Sequence, residues 1–159
     1  MMSKFCAALP ATLLAAAAAA QPAGVAMDFS TARVTPGLWT YQAVPGGSAA
    51  RFIDATGIAR FTIECSKATR RVTISRTSAS AAPNLFVWTT DASRTLGVRF
   101  EPNAMRLAVE LAARDPLLDG MAYSRGRIAV TTAGAGRVAE TLVMPAWPEA
   151  ARTIEDCRI

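Results

Sequence analysis

The sequence predicts an all-β or β-rich domain: an antiparallel sandwich or curled sheet of about seven or eight strands, with one short inserted helix and a short C-terminal helix. From Leu38 onward, apolar and polar residues mostly alternate, which is the period of a strand with one face in a core. Proline or glycine interrupts the alternation at short intervals, as in sheets joined by tight turns. The 159 residues, of which 52% are apolar, suffice for one core.

The first half of the domain divides into strands at its turn residues. Residues 38–44 form a strand that ends at Pro45-Gly46-Gly47, and residues 50–53 and 59–65 form a hairpin around the turn at 54–57. Three further strands are predicted at 72–75, 85–90 and 94–100, the last of them at a sheet edge.

The second half contains the two helices. Leucine and valine alternate with polar residues over 105–112, which favours a strand, although a helix is the alternative because these residues also form helices well. Asp115 before Pro116 is typical of a helix start, and we expect a helix over 117–123. A hairpin of 127–132 and 141–144 follows, with its turn at 134–136.

The C-terminal helix begins at Pro148, which suits the first helical position. Trp147, Ala151 and Ile154 recur at spacings of four and three residues, so they predict an apolar stripe that packs on the sheet.

The N terminus has the three parts of a secretory signal peptide. Lys4 supplies a positive start, residues 5–20 are apolar, and Ala18-Ala19-Ala20 is a small-residue cleavage site. Cleavage after Ala26 is the alternative. No later apolar stretch is long enough to span a bilayer, so we expect a periplasmic or secreted chain without a transmembrane segment. The predicted organisation is a signal peptide at 1–20, an N-terminal extension at 21–37 and a single β-rich domain at 38–159.

Composition excludes several kinds of chemistry. Histidine is absent, so His-based triads, His metal sites and His acid/base pairs are unavailable. We expect no metal and no cofactor. The net charge falls from +5 to +4 when Lys4 leaves with the signal, and the positive residues are nearly all Arg and spread along the chain. This mild excess does not indicate nucleic-acid binding, and export removes the chain from cytosolic nucleic acid.

Two pairs of acids are the candidates for hydrolytic chemistry. Asp115 and Asp119 have helical spacing, and Glu155 and Asp156 are adjacent, whereas glycoside cleavage needs two carboxylates that face one cleft. A helix cap and solvated helix faces explain the same residues, and we favour that interpretation.

Two basic corners are candidate anion-binding sites. Arg125 and Arg127 flank a glycine, and Lys67, Arg70 and Arg71 follow Cys65 directly. Guanidinium groups bind carboxylates and phosphates through paired hydrogen bonds. A cell-envelope phosphate is the anionic partner that we consider, and a solvated turn is the alternative in each case.

One pair of aromatic residues is a candidate partner surface. Phe86 and Trp88 occupy the strand face opposite Leu85 and Val87, so one of the two faces is a place where a partner could bind. The sequence favours core packing for most of its large aromatic residues.

The cysteines predict a disulfide. Cys6 leaves with the signal, which leaves Cys65 and Cys157 as the two thiols of an exported chain. Cys65 shares its strand face with Phe61 and Ile63, so the bond would attach the terminal helix to the core.

Three segments carry a resemblance to known proteins. They resemble small uncharacterised exported proteins of alphaproteobacteria. The segments are the ending from Val143-Met144-Pro145-Ala146-Trp147-Pro148-Glu149 through Arg158, Asp115-Pro116-Leu117-Leu118-Asp119, and Ser124-Arg125-Gly126-Arg127. The order of elements in the C-terminal half is also similar to the invasion-associated locus B family. That similarity implies a periplasmic β-sandwich and carries over no site residue.

These observations favour a non-enzymatic, exported binding or envelope-associated module. Its partner would be an anionic envelope component or another envelope protein. A small carboxylate-dependent envelope hydrolase is one alternative, and an inhibitor or accessory subunit that binds through a strand edge is another. An exposed aromatic face would favour the binding module, a pocket with two acids the hydrolase, and a long unpaired edge the accessory role.

Overall fold

A computed structural model describes residues 27–133 and 140–159. The predicted signal peptide at 1–20, its alternative cut after Ala26 and the predicted turn at 134–136 lie outside the described residues.

The described chain forms two antiparallel sheets, which confirms the predicted fold class. The six-stranded sheet has the order β1-β2-β3-β4-β8-β7, and the four-stranded sheet has the order β10-β9-β5-β6. The elements are β1 (Gly37–Val44), β2 (Gly47–Asp54), β3 (Ala59–Ser66), β4 (Arg71–Thr77), β5 (Asn84–Trp88), β6 (Ser93–Gly97), β7 (Arg99–Glu101), a 3-10 turn (Pro102–Ala104), β8 (Arg106–Ala112), α1 (Pro116–Tyr123), β9 (Arg127–Ala133), β10 (Thr141–Pro145) and α2 (Pro148–Asp156).

The six-stranded sheet follows the predicted alternation closely. A two-residue turn at Pro45 and Gly46 joins β1 to β2, and Gly46 adopts a positive φ of 77° that favours glycine. The Asp54 carboxylate then accepts hydrogen bonds from the amides of Thr56 and Ile58, which fixes the predicted β2–β3 turn. Within the region 105–112, residues 106–112 form a strand, as the alternation favoured.

Residues 94–100 form two strands rather than one edge strand. β6 pairs with β5 in the four-stranded sheet, whereas β7 pairs with β8 in the six-stranded sheet. Between them the Val98 amide donates to the Pro83 carbonyl, so the chain leaves one sheet and enters the other at this residue. The described chain has ten strands rather than about seven or eight, and the division of 94–100 accounts for one of the additional strands. An alternating pattern does not show where a strand changes its partner.

One face of each sheet enters a shared core. Trp39, Phe52 and Phe61 lie on neighbouring strands with their rings in edge-to-face contact, and the Trp39 Nε1 donates to the Pro145 carbonyl of the four-stranded sheet at 2.8 Å. This end of the six-stranded sheet therefore packs against the four-stranded sheet. The opposite end of the same face packs against α2, which contacts β1, β2 and β3.

The C-terminal helix presents a different face from the predicted one. Ala150, Ile154 and Cys157 are buried, but Trp147 is the N-cap residue and remains 42% exposed. The prediction of a Trp147–Ala151–Ile154 stripe is wrong for Trp147, because the helix begins only after this residue. Within the described residues, α1 and α2 are both too short to cross a bilayer.

The described part of the N-terminal extension runs against the four-stranded sheet. The Thr35 amide donates to the Val143 carbonyl of β10, and the Arg127 guanidinium donates to the Ser30 carbonyl. Phe29 packs edge-to-face on Trp88, with ring centroids 5.8 Å apart. The extension thus belongs to the packed structure of the domain.

Candidate functional site

A disulfide between Cys65 and Cys157 closes the α2 end of the molecule, as the cysteine count predicts. The two Cα atoms are 5.4 Å apart, within the usual range for a disulfide. Cys157 is fully buried, and its sulfur lies 3.2 Å from the Arg71 carbonyl. The bond therefore fixes the last turn of the chain beside the β3–β4 turn.

The first predicted basic corner surrounds this disulfide. Lys67 and Arg70 lie in the β3–β4 turn and are exposed, and Arg70 adopts a left-handed backbone conformation with φ at 51°. Arg71 lies at the start of β4 and forms a 3.6 Å ion pair with Glu110. Among the described residues, Lys67 and Arg70 form no ion pair, whereas Arg71 is partly neutralised.

The fold brings three more arginines to the same end, and sequence reasoning missed all three. Arg114 follows β8, and the Ala113 amide donates to the Arg70 carbonyl, so the two loops lie side by side. Arg158 donates to the Ala113 carbonyl at 2.9 Å. Arg70, Arg114 and Arg158 line a shallow cavity of about 240 Å³ next to Cys157. The predicted disulfide could have indicated these arginines, because it implied that the C terminus lies beside the β3–β4 turn.

Arg152 completes this group from the outer face of α2. Its guanidinium carbon lies 3.9 Å from the centre of the Tyr41 ring, a cation–π contact. The Tyr41 hydroxyl donates to the Asp156 carboxylate at 2.7 Å. Burial acts most strongly on the pKa of Asp156 and would raise it, but the hydrogen bond from Tyr41 and the charges of Lys67 and Arg152 lower the pKa below its ordinary value.

We call Lys67, Arg70, Arg114 and Arg152 the basic end. Within the described residues, none of these four cations lies within 4.0 Å of a carboxylate. Arg158 is different, since it forms ion pairs with Asp119 and Glu155. Exposed guanidinium groups around a fixed cavity can bind a phosphate or carboxylate through charge-assisted hydrogen bonds.

The second predicted basic corner lies elsewhere on the molecule. Arg125 is exposed in the α1–β9 turn, while Arg127 is occupied by the Ser30 carbonyl. Gly126 has a φ of 136°, and its carbonyl accepts from the Ala146 amide. At this corner Arg127 therefore has a structural role, and Arg125 forms no ion pair with the residues that the structure describes.

The predicted acid pairs have structural partners. The Asp115 carboxylate caps α1 by accepting from the Leu117 amide, and it accepts two hydrogen bonds from Arg94 at 2.8 and 2.9 Å. Asp119 and Glu155 bind Arg158, and Asp156 binds Tyr41. No group of three potential metal ligands occurs among residues 27–133 and 140–159.

The predicted aromatic surface is partly covered. Leu85 and Val87 are fully buried in the core, so Phe86 and Trp88 face outward. Both are half-buried, and Trp88 contacts Phe29 of the N-terminal extension. The area that a partner could reach on this face is correspondingly smaller.

A second cavity, which the sequence did not indicate, lies at the other end of the sandwich. It measures about 440 Å³, and its lining includes Arg60, Ser78, Met105, Thr132 and Glu140. Glu140 is the one carboxylate among its described lining residues, so the cavity does not present an acid pair.

Comparison with known proteins gives a likeness of fold. No family model matches the chain, and no curated protein matches it. The fold and the basic end together define a small disulfide-linked β-sandwich with an exposed cationic surface. Among solved structures, the chain is similar to invasion associated protein B from Bartonella henselae, with a TM-score of 0.51 and 11% sequence identity over 78% of this chain and 94% of that one. The likeness covers more than the C-terminal half, and at this identity it is a likeness of fold alone.

Proposed function

We propose that this protein is an exported, non-enzymatic module of the cell envelope that binds a phosphate-bearing envelope component through its basic end. The observation that carries the proposal is the group of four exposed cations, Lys67, Arg70, Arg114 and Arg152, which form no ion pair among the described residues. Arg70 and Arg114 line the cavity beside the disulfide. Such a surface attracts anions, and this attraction weakens as the salt concentration rises.

Three observations support export and an envelope role. The N terminus has the sequence of a signal peptide, and the two remaining cysteines form a disulfide, which persists in oxidising compartments. The fold is similar to that of a protein described as invasion associated. The first two observations support a periplasmic or secreted location independently of the third.

The hydrolase alternative is less well supported. An acid pair for hydrolysis must face a cleft with one carboxyl group free to hold a proton. Instead, Asp115 is bound by Arg94 and the α1 backbone, and Asp119 is bound by Arg158. These acids therefore have structural roles, whereas the exposed cations of the basic end are suited to binding an anion.

The test compares two variants of equal net charge in binding to phosphatidylcholine vesicles with and without phosphatidylglycerol. Arg70→Gln/Arg114→Gln removes two charges from the basic end. The control Arg33→Gln/Arg51→Gln removes two charges elsewhere that form no ion pair among the described residues. We expect the first variant to lose about tenfold or more in affinity for the anionic vesicles, since each cation near an anionic surface contributes about 1 kcal/mol. Equal losses in the two variants, or equal binding to both kinds of vesicle, would refute the proposal. Inorganic polyphosphate as a competitor distinguishes a general phosphate site from one that needs a lipid surface.

One observation favours the accessory role as a second candidate. β1 is an edge strand of eight residues, Gly37–Val44, without a charge, a proline or a bulge in its pairing with β2. Edges of this kind lack the features that usually prevent strand addition. Thr40→Lys introduces a charge on this edge. If the accessory role holds, this variant should no longer capture a protein partner. Thr62→Lys, in the interior of the sheet, serves as the control.

A further inference from the structure

The larger cavity contains a carboxylate held between two arginines. The Glu140 carboxylate lies 2.8 Å from the Arg60 Nη2 and 3.2 Å from the Arg76 Nη2. Its side chain is 63% exposed, whereas that of Arg76 is only 2% exposed. An exposed acid thus provides the charge partner of a buried base.

The buried guanidinium is incompletely satisfied by this arrangement. The Arg76 Nη1 donates to the carbonyls of Val130 and Glu140, at 2.5 and 2.7 Å. The Nη2 has no aligned hydrogen-bond acceptor among the described residues, although the Glu140 carboxylate is close. Burying an unpaired polar group is unfavourable, so this nitrogen has a donor available for a better-placed anion.

We propose that this cavity is a binding site for a small organic carboxylate, and that Glu140 occupies the carboxylate position until a ligand displaces it. The Arg60 Nη2 and the Arg76 Nη2 both approach the Oε1 atom of Glu140, so two positive charges converge on one carboxylate oxygen. Guanidinium N–H groups bind such oxygens through charge-assisted hydrogen bonds. Glu140 is exposed, so its side chain can turn into solvent, and the carboxylate of the ligand then takes its place as the charge partner of the buried Arg76. A ligand that replaces it leaves the charge of the site unchanged.

The rest of the cavity indicates the size and character of the ligand. A volume of about 440 Å³ lies within the range of small-molecule sites. Ser78, Ser80 and Thr132 contribute polar atoms to the wall, and Ile58 and Met105 contribute apolar ones. A mixed wall of this kind fits a hydroxylated acid of about monosaccharide size, such as a sugar acid.

The experiment titrates glucuronate into ¹⁵N-labelled protein and follows the amide and arginine Nε–H signals, with glucose as the uncharged control. Because Glu140 competes for the site, Glu140→Gln should bind glucuronate about tenfold more tightly than the unchanged protein. Adding Arg60→Gln to Glu140→Gln should reverse that gain. Adding Arg51→Gln instead, on the outer face of the same sheet, should leave it in place.

Three results would overturn the proposal. In the first, Glu140→Gln does not raise the affinity for glucuronate. In the second, glucose binds as strongly as glucuronate. In the third, changing Arg60 or Arg51 lowers the affinity for glucuronate equally. Should the double variant with Arg60→Gln fail to fold, Arg60→Lys in its place retains the charge but loses the planar guanidinium, and a smaller loss of affinity is expected. These variants leave the basic end intact, so the outcome is independent of the proposed envelope binding.

Discussion

Arg76 shows how one residue can depart from the pattern of its own strand. It lies on the same face of β4 as Val72 and Ile74, both fully buried, so the alternation places a guanidinium where hydrocarbon is expected. Burial is the largest influence on the pKa of Arg76 and lowers it, while the Glu140 charge raises it. The side chain connects β4 with β9 and with Glu140, just before β10, through its hydrogen bonds.

Arg76→Met should destabilise the fold by about 2 kcal/mol, because two carbonyls lose their donor while the apolar stem is retained. The urea dependence of unfolding measures this loss. Arg51→Met, a control on the outer face, should change stability by less than about 0.5 kcal/mol. A value for Arg76→Met equal to that of the control would contradict the structural role of Arg76.

The Tyr41–Asp156 hydrogen bond predicts a pH dependence of stability. Since the pKa of Asp156 is lowered in the folded state, this carboxylate stabilises the fold above its ordinary pKa of 3.8, and the stabilisation is lost as the pH falls through the folded-state value. Tyr41→Phe removes the donor but retains the ring beneath Arg152. We expect the pKa of Asp156 to rise in this variant, and the stability difference from the unchanged protein to be larger at neutral pH than in acid. An NMR titration of the carboxyl carbon and urea unfolding at both pH values test this, and an unchanged Asp156 titration would refute it.

At the scale of the element, α2 depends on the disulfide for its position. A helix of nine residues is only marginally stable alone, and Cys157 at its end is bonded to β3 across 92 residues of sequence. Its buried face runs through Ala150 and Ile154 to Cys157, which is the face that the bond turns toward the sheet.

Replacing both cysteines by serine should lower the free energy of unfolding by about 4 kcal/mol, because the bond restricts a long loop in the unfolded chain. Hydrogen exchange should show the loss of protection first in α2. Non-reducing mass analysis provides the control by confirming that the unchanged protein is oxidised. Protection of α2 that equals that of the oxidised protein would show that packing alone holds the helix.

The N-terminal extension makes a further prediction at this scale. Phe29→Ala removes the ring that packs on Trp88, and aromatic pairs of this geometry contribute about 1 kcal/mol. We expect a loss of about that size and a shift of tryptophan emission to longer wavelength. Met27→Ala, which changes an exposed residue of the same extension, should do neither. An emission spectrum unaffected by Phe29→Ala would indicate that the extension does not cover Trp88.

Local pattern predicted most elements of this fold because each depends on neighbouring residues. The strand at 106–112 follows from the alternation of Leu107 and Leu111 with polar residues, and α1 follows from Asp115 and Pro116. The division of 94–100 between two sheets depends on which strand lies alongside, and this is a property of the tertiary structure. For the same reason the sequence indicated Lys67 and Arg70 but not Arg114 or Arg152, which come to the basic end only when β8 and α2 are in place.

At the scale of the whole molecule, the two ends of the sandwich differ in their chemistry. The disulfide and the four cations of the basic end lie at one end, and the cavity with Arg60 and Glu140 lies at the other. The outer face of the six-stranded sheet between them is largely neutralised by pairs such as Glu64 with Arg106. In the proposed function, this distribution of charge would direct an anionic surface to the disulfide end.

The most direct test of envelope binding is to map the contact surface by NMR on addition of bicelles that contain phosphatidylglycerol. The account predicts that the amide signals of Lys67, Arg70, Arg114 and Arg152 shift or broaden first, and that the effect weakens as salt is added. Bicelles of phosphatidylcholine alone should leave these signals unchanged. Shifts centred on the outer face of either sheet, with the basic end unaffected, would contradict the account.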